Sequence, residues 1–320
     1  MGIDVHAARC LFYARKIRVD FGRTATIGRQ GLFLDSAELD SVAKSFGETF
    51  DIDQLNSIFG RYGGYADGLF IFFGAKDVQS FDISNYEAAT YIHDFNYSIP
   101  ERFHENYSAV IDGGSLEHVF NFPTAIRSCM EMIQIGGHYI GFTPANNFFG
   151  HGFYQFSPEL FFNVFSEENG FKVVSMIACE DRPKSQWFLV KNPRDVSSRV
   201  TLCNSVPTLL LIVAKRIARR RIFATPPQQS DYTVIWRKLS SATAKEPQAD
   251  ADFPLSGPLL IRLMKNVLPR VLRQRVKLAF SEGIARTRSR PVKISRAFSP
   301  GKAAVRFDPR FFRPFNPVVD

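Results

Sequence analysis

Apolar and polar positions alternate in two textures along the first two-thirds of the chain. Short apolar runs predict strands at 24–28 (Thr24-Ala25-Thr26-Ile27-Gly28), 78–82, 89–94, 108–112, 138–143, 171–178 and 208–214. Between them lie stretches with helical spacing. An amphipathic segment occupies 5–18, and a helix over 36–46 is announced by Asp35 as its N-cap. A helix over 121–134 is closed by Gly136-Gly137, and one over 158–168 is opened by Ser157-Pro158-Glu159, with proline at the first helical position. Three of the strands finish on an acid: Asp82, Asp94 and Asp112. Strands alternating with helices at this spacing predict βαβ units, and so a mostly parallel sheet with helices on both faces. The last two strands are expected to add an antiparallel edge.

The pattern breaks near residue 220. Three segments follow: a Rossmann-like domain over 1–220 with its N-terminal helix, a loose Pro-, Gln- and Ser-containing linker over 221–257, and a basic extension over 258–320. In that extension Leu260, Leu263, Met264, Val267, Leu268, Val271 and Leu272 follow helical periodicity, with Arg262, Lys265, Arg270, Arg273 and Arg275 interleaved. Pro269 divides the helix, and residues 281–320 read as a flexible tail.

Charge follows the same boundary. The formal net charge is +9, but residues 261–320 hold fifteen Lys/Arg against three Asp/Glu, which leaves the rest of the chain slightly acidic. The basic character therefore belongs to the tail, where an amphipathic cationic helix suits an anionic membrane surface. The tail contains no nucleic-acid reading module. Cys10, Cys129, Cys179 and Cys203 lie far apart and form neither a disulfide framework nor a zinc pattern. The longest apolar run, 206–214, is too short to span a bilayer, and no leader opens the chain. The reading is a cytoplasmic protein, peripheral to the inner membrane face through its tail. Phe is unusually common, with 32 residues, which points to thick core layers.

Ligands of an open parallel sheet bind outside the carboxyl ends of its strands. Asp82 stands where an acid can accept hydrogen bonds from a ribose, and Asp94, one strand on, can accept from an adenine amino group. Gly28 and Gly31 let backbone approach a ligand closely. The most informative segment is Val110-Ile111-Asp112-Gly113-Gly114-Ser115-Leu116-Glu117-His118-Val119-Phe120-Asn121. A buried strand there runs into Gly113-Gly114 and then sets a carboxylate beside an imidazole. Glu117 or His118 can act as general base, and a helix-capping role for Glu117 is the competing reading. A second loop, Asn146-Asn147-Phe148-Phe149-Gly150-His151-Gly152-Phe153-Tyr154-Gln155-Phe156, offers Asn146, Asn147, Tyr154 and Gln155 to a polar substrate, with His151 as a further base. No metal-ligand spacing is present.

These motifs resemble bacterial class I S-adenosylmethionine-dependent methyltransferase-like proteins often found in surface-polysaccharide gene clusters. The resemblance rests on Thr26-Ile27-Gly28-Arg29-Gln30, Asp82-Ile83-Ser84-Asn85-Tyr86-Glu87-Ala88-Ala89, His93-Asp94-Phe95-Asn96, the 111–121 segment and the run 146–159. It implies a Rossmann-like methyltransferase fold with a mostly parallel seven-stranded sheet. It also implies S-adenosylmethionine lying over Gly28, Asp82, Asp94, Asp112 and Gly113, with Arg29 a substitute contact for the cofactor carboxylate. Two departures stand out: the glycine signature is reduced to Gly28-Arg29-Gln30-Gly31, and Gly28 and Asp82 lie much farther apart than the about 20 residues of an ordinary dinucleotide unit. The function implied is methyl transfer to a small polar acceptor such as a sugar or glycan precursor. The alternative is a non-catalytic Rossmann-like scaffold that has lost its cofactor and associates through its basic tail.

Overall fold

The computed structural model describes residues 2–182, 184–230, 232–233 and 307–319. Contacts group residues 1–237 and 305–320 into one unit. The predicted amphipathic helix at 259–280 lies outside the described residues.

The chain begins with a two-residue strand β1 (Gly2–Ile3) and helix α1 (Val5–Lys16). Asp4 caps α1 by accepting from the Ala7 N–H at 2.8 Å, while Arg15 and Lys16 occupy its last turn, where cations suit the helix dipole. Strand β2 (Arg23–Ile27) follows, then the short β3 (Gly31–Leu32), α2 (Ser36–Ser45), α3 (Ile52–Gly60) and α4 (Asp67–Phe72). Asp35 with Glu38 and Asp51 with Gln54 form reciprocal capping boxes that start α2 and α3. Three helices and a strand thus fill the long interval between Gly28 and Asp82.

The remaining elements are β4 (Asp77–Asp82), β5 (Tyr91–Ile92), β6 (Tyr107–Asp112), α5 (Phe122–Met132), β7 (Ile133–Asn146), α6 (Pro158–Val164), β8 (Phe171–Glu180), β9 (Trp187–Val190), α7 (Pro193–Val196), β10 (Thr208–Arg216) and β11 (Phe312–Phe315). All strands but β1 and β3 form one nine-stranded sheet in the order β11-β9-β8-β10-β7-β6-β2-β4-β5. The run from β5 to β7 is parallel, while β10 is antiparallel to both of its neighbours, β7 and β8. This is a Rossmann-like α/β fold.

Every residue of β6 is buried, as expected of a central parallel strand covered on both faces. Its successive side chains feed two separate cores. Val110 joins Ala25, Ile27, Phe81 and the faces of α5 and α6, whereas Ala109 and Ile111 join α1, α2 and α4. Helix α1 is buried almost all round, and its Tyr13 hydroxyl meets Ser175 Oγ of β8 at 2.7 Å.

Four expectations need correcting. The sheet has nine strands rather than seven, because β9 and β11 extend it beyond β8. The antiparallel β10 is not an edge: it inserts between β7 and β8, where its apolar run is buried on both sides. Nor are all of residues 281–320 a flexible tail. Phe312–Phe315 pair with β9, and Phe311, Phe312 and Phe315 are buried. The domain likewise continues past 220, since Ile222 and Ser230 are buried against it. In β11 aromatic packing overrides local polarity, because a buried Phe outweighs neighbouring Arg and Pro. Phe315→Ala, which strips a ring packed edge-on against Tyr13 at 5.3 Å, should lower unfolding free energy by about 3 kcal/mol in a urea titration. An unchanged midpoint would show that β11 contributes nothing to the fold.

Candidate functional site

The order of the parallel strands reverses between β2 and β6, so their carboxyl ends frame the crevice where open α/β sheets hold ligands. Gly28 ends β2 in the left-handed region, at φ 71°, and its N–H donates to Phe81 O at 2.7 Å. A Cβ at Gly28 would lie 3.0 Å from Ser115 Oγ and 3.7 Å from Asp82 Oδ2, so the ends of three strands meet there. Asp82 is half-buried; its Oδ1 accepts from the Ser84 N–H at 3.1 Å, and no hydrogen bond from the described residues reaches its Oδ2. Asp94 Oδ1 likewise takes the Asn96 N–H and side-chain amide, each at 2.8 Å. Against Gly28 and Gly113 sits Gln30, which sequence reasoning did not assign to the site. Its amide donates to Ile27 O, it is 2% exposed, and its Oε1 is buried without a partner. A Cβ on Gly113 would fall 1.9 Å from that oxygen, so glycine at 113 is what admits the Gln30 side chain.

Asp112 closes β6 as a buried carboxylate. Its Oδ1 accepts from the N–H groups of Ser115 (2.8 Å) and Leu116 (3.3 Å), and its Oδ2 accepts from the Tyr139 hydroxyl of β7 at 2.9 Å. Burial pushes its carboxyl up to about 6 despite these donors. Both oxygens are therefore committed within the protein, and Asp112 shapes the turn beneath the crevice instead of presenting a free carboxylate to a cofactor.

That turn delivers a single-turn 3₁₀ segment, Leu116–His118. Glu117 is 1% exposed, its Oε2 has no partner, and burial, together with the charge of Asp112, pushes its carboxyl up to about 8. The Glu117 carbonyl accepts from the N–H groups of Phe153 (2.8 Å) and Tyr154 (3.2 Å), which straps the loop after β7 over it. The strap brings His151 Nε2 to 3.7 Å from Glu117 Oε1, a separation longer than a hydrogen bond. The ring of His118 lies 5.2 Å from that of His151. Partial burial, then the neighbouring His151, hold the His118 imidazole below its ordinary range. One ligand-capable atom from each of Glu117, His118 and His151 lies within 4.8 Å of the others. The trio gathers all three residues proposed as catalytic, with His151 supplied by the loop after β7.

Beside the trio is a cavity of about 180 Å³, lined among others by Gly113, Glu117, Thr143, His151 and, from the opposite wall, Asp4 and His6. The N-terminal contribution was not legible in sequence. It depends on β1 pairing with β3, where Gly2 packs so tightly that a Cβ would approach Gly31 O to 2.2 Å.

Several predicted contacts serve the scaffold instead. Arg29 lies over the Tyr65 ring at 4.0 Å, pairs with Asp67 at 3.6 Å and donates to Glu87 O at 3.0 Å. Gly31 belongs to β3, where it pairs with Gly2. Asn146 donates to Asn204 Oδ1 at 2.7 Å, and Asn147 donates to Asn204 and to Val206 O at 2.9 Å. Tyr154 donates to Phe120 O at 2.6 Å, and Gln155 accepts from the Phe148 N–H at 2.8 Å. These four side chains build the loop that carries His151.

No family model matches the chain, and no curated protein matches it. Solved structures similar to it include MccD protein (11% identity, 68% of this chain and 100% of that one, TM-score 0.40). Another is Burkholderia thailandensis 1,6-didemethyltoxoflavin-N1-methyltransferase, with bound 1,6-didemethyltoxoflavin and S-adenosylhomocysteine (10%, 67% and 78%, TM-score 0.36). A third is the branched-chain polyamine synthase of Thermus thermophilus, with N4-aminopropylspermidine and 5'-methylthioadenosine (12%, 71% and 60%, TM-score 0.34). At these values the likenesses carry no argument about ligand or reaction, which rests on the residues themselves.

Tyr139→Phe removes one donor from a buried carboxylate and should cost about 1.5–3 kcal/mol. Asp112 titrates higher folded than unfolded, so its burial opposes folding at neutral pH and that cost fades as pH falls through about 6. The loss measured by urea unfolding should therefore be larger at pH 8 than at pH 5; an equal loss at both would sever Tyr139 from the carboxylate's charge.

Proposed function

We propose that this chain is an S-adenosylmethionine-dependent methyltransferase acting on a nucleophilic oxygen or nitrogen of a small polar acceptor, with a sugar hydroxyl the acceptor class. The observation that carries the reading is the pairing of two features across one crevice. Asp82 keeps a carboxylate oxygen uncommitted beside the left-handed Gly28, and the Glu117–His118–His151 trio stands past the end of the neighbouring strand.

The residues present fit the adenosyl group. Asp82 would accept from the ribose hydroxyls and Asp94, through its second oxygen, from the adenine amine. Gln30 Oε1, the buried acceptor without a partner, suits the ammonium of the amino-acid end. Bound there, the group supplies a reactive methyl sulfonium, so the protein has little bond-making chemistry to perform. What remains is alignment and proton removal. The cavity walled by Gly113, Thr143 and His151 holds the acceptor next to the trio, where an imidazole is placed to take its proton as the new bond forms, with the Glu117 carboxyl 3.7 Å from His151.

Isothermal titration with S-adenosylmethionine and with S-adenosylhomocysteine tests this directly. Micromolar binding is expected, weakened ten- to hundredfold by Asp82→Ala through loss of charge-assisted hydrogen bonds. A folded protein that binds neither compound returns the fold to the scaffold reading, and binding indifferent to Asp82→Ala displaces the cofactor from this crevice.

A further inference from the structure

The Glu117–His118–His151 trio has a second chemical meaning that methyl transfer does not require. Its members come from two loops, after β6 and after β7, brought together by the two hydrogen bonds to the Glu117 carbonyl. All six histidines of the chain are among the described residues, and His118 and His151 form the histidine pair whose rings meet.

We propose that Glu117, His118 and His151 form a binding site for one divalent transition-metal ion of the zinc class. Two imidazoles and one carboxylate make a three-ligand set that leaves a coordination position open to a substrate oxygen or water. Imidazole donors favour zinc-like ions over magnesium or calcium, which seek all-oxygen shells.

Two independent observations support a cation there. Glu117 Oε1 faces His151 Nε2 at 3.7 Å, and the second oxygen of this buried carboxyl, Oε2, has no hydrogen-bond partner, although a buried acceptor almost always finds one. Gly152, at φ 76°, is also held so close that a Cβ would meet Glu117 O at 2.8 Å and His118 Nδ1 at 3.2 Å. The loop thus packs a glycine against the Glu117 backbone carbonyl and the His118 ring, which sets His151 beside them.

Ligand atoms around a tetrahedral zinc ion stand about 3.3 Å apart. A trio within 4.8 Å must therefore close by an ångström or so, which the side-chain torsions of the two exposed histidines allow. The inference is independent of the methyl-transfer reading. Where both hold, an acceptor hydroxyl bound to the ion ionises more readily, and the metal takes over the assistance to proton loss.

Titration of untagged full-length protein with zinc chloride, followed by calorimetry and by metal analysis after gel filtration, tests the site. One ion per chain is expected, with His118→Ala and His151→Ala each weakening binding at least tenfold and the double variant abolishing saturable binding. Both side chains are exposed, so loss of folding is not the expected cause, and unchanged far-UV circular dichroism checks it. No binding, non-saturating binding, or binding unmoved by these changes (as zinc held at the exposed Cys203 would give) overturns the site. S-adenosylhomocysteine binding measured on the same samples reports on the methyl-transfer reading alone.

Discussion

The buried carboxylate of Asp112 is the constraint on which the rest of the candidate site depends. It reaches forward to the Ser115 and Leu116 N–H groups and sideways to the Tyr139 hydroxyl. A charge placed at the centre of the sheet is tolerated only because donors surround it. Those donors in turn fix the Gly113–Ser115 turn and the entry into Leu116–His118. Ser115, held by that turn, donates to Ile27 O and ties the end of β6 to the end of β2. The crevice and the trio are two consequences of one satisfied carboxylate.

From that turn the organisation spreads outward through backbone bonds. The Glu117 carbonyl receives the strap from Phe153 and Tyr154, and the strap determines where His151 stands. Asn147, in the left-handed region at φ 61°, anchors the far end of the same loop to Asn204 and Val206, which precede β10. The polar loop residues are thus spent on holding one imidazole in place. Catalytic sites commonly depend on such support, because a loop of this length has too many conformations to aim a side chain unaided.

The N-terminal segment closes the other side. Asp4 caps α1 and His6 begins its buried face, and both reach the cavity because α1 is packed against β8 and β10. The far end of the chain supports the same helix: Phe315 packs on Tyr13, and Lys16 donates to Pro317 O at 3.1 Å. Both termini therefore converge on one helix, which ties the cavity wall to the edge of the sheet.

The amino-acid sequence by itself determined the alternation of strands and helices, the capping of α2 by Asp35 and the acids Asp82 and Asp112 that end β4 and β6, whereas Asp94 falls two residues past the end of β5. These are local properties, governed by side-chain periodicity, cap chemistry and glycine, and they survive without knowledge of distant neighbours. Tertiary structure alone decided which of those residues face one another. Asp82 and Asp94 look alike in sequence to Asp112, yet only Asp112 is sealed by Tyr139, a residue from the next strand. Arg29, the loop amides and Tyr154 look like ligand contacts and are claimed by Tyr65, Asp67, Asn204, Phe148 and Phe120. Gln30, β9 and β11 gave little local signal because their roles come from burial against remote partners. The position of β10 inside the sheet follows the same rule: strand order is set by which faces must be covered, and no short stretch of sequence encodes that.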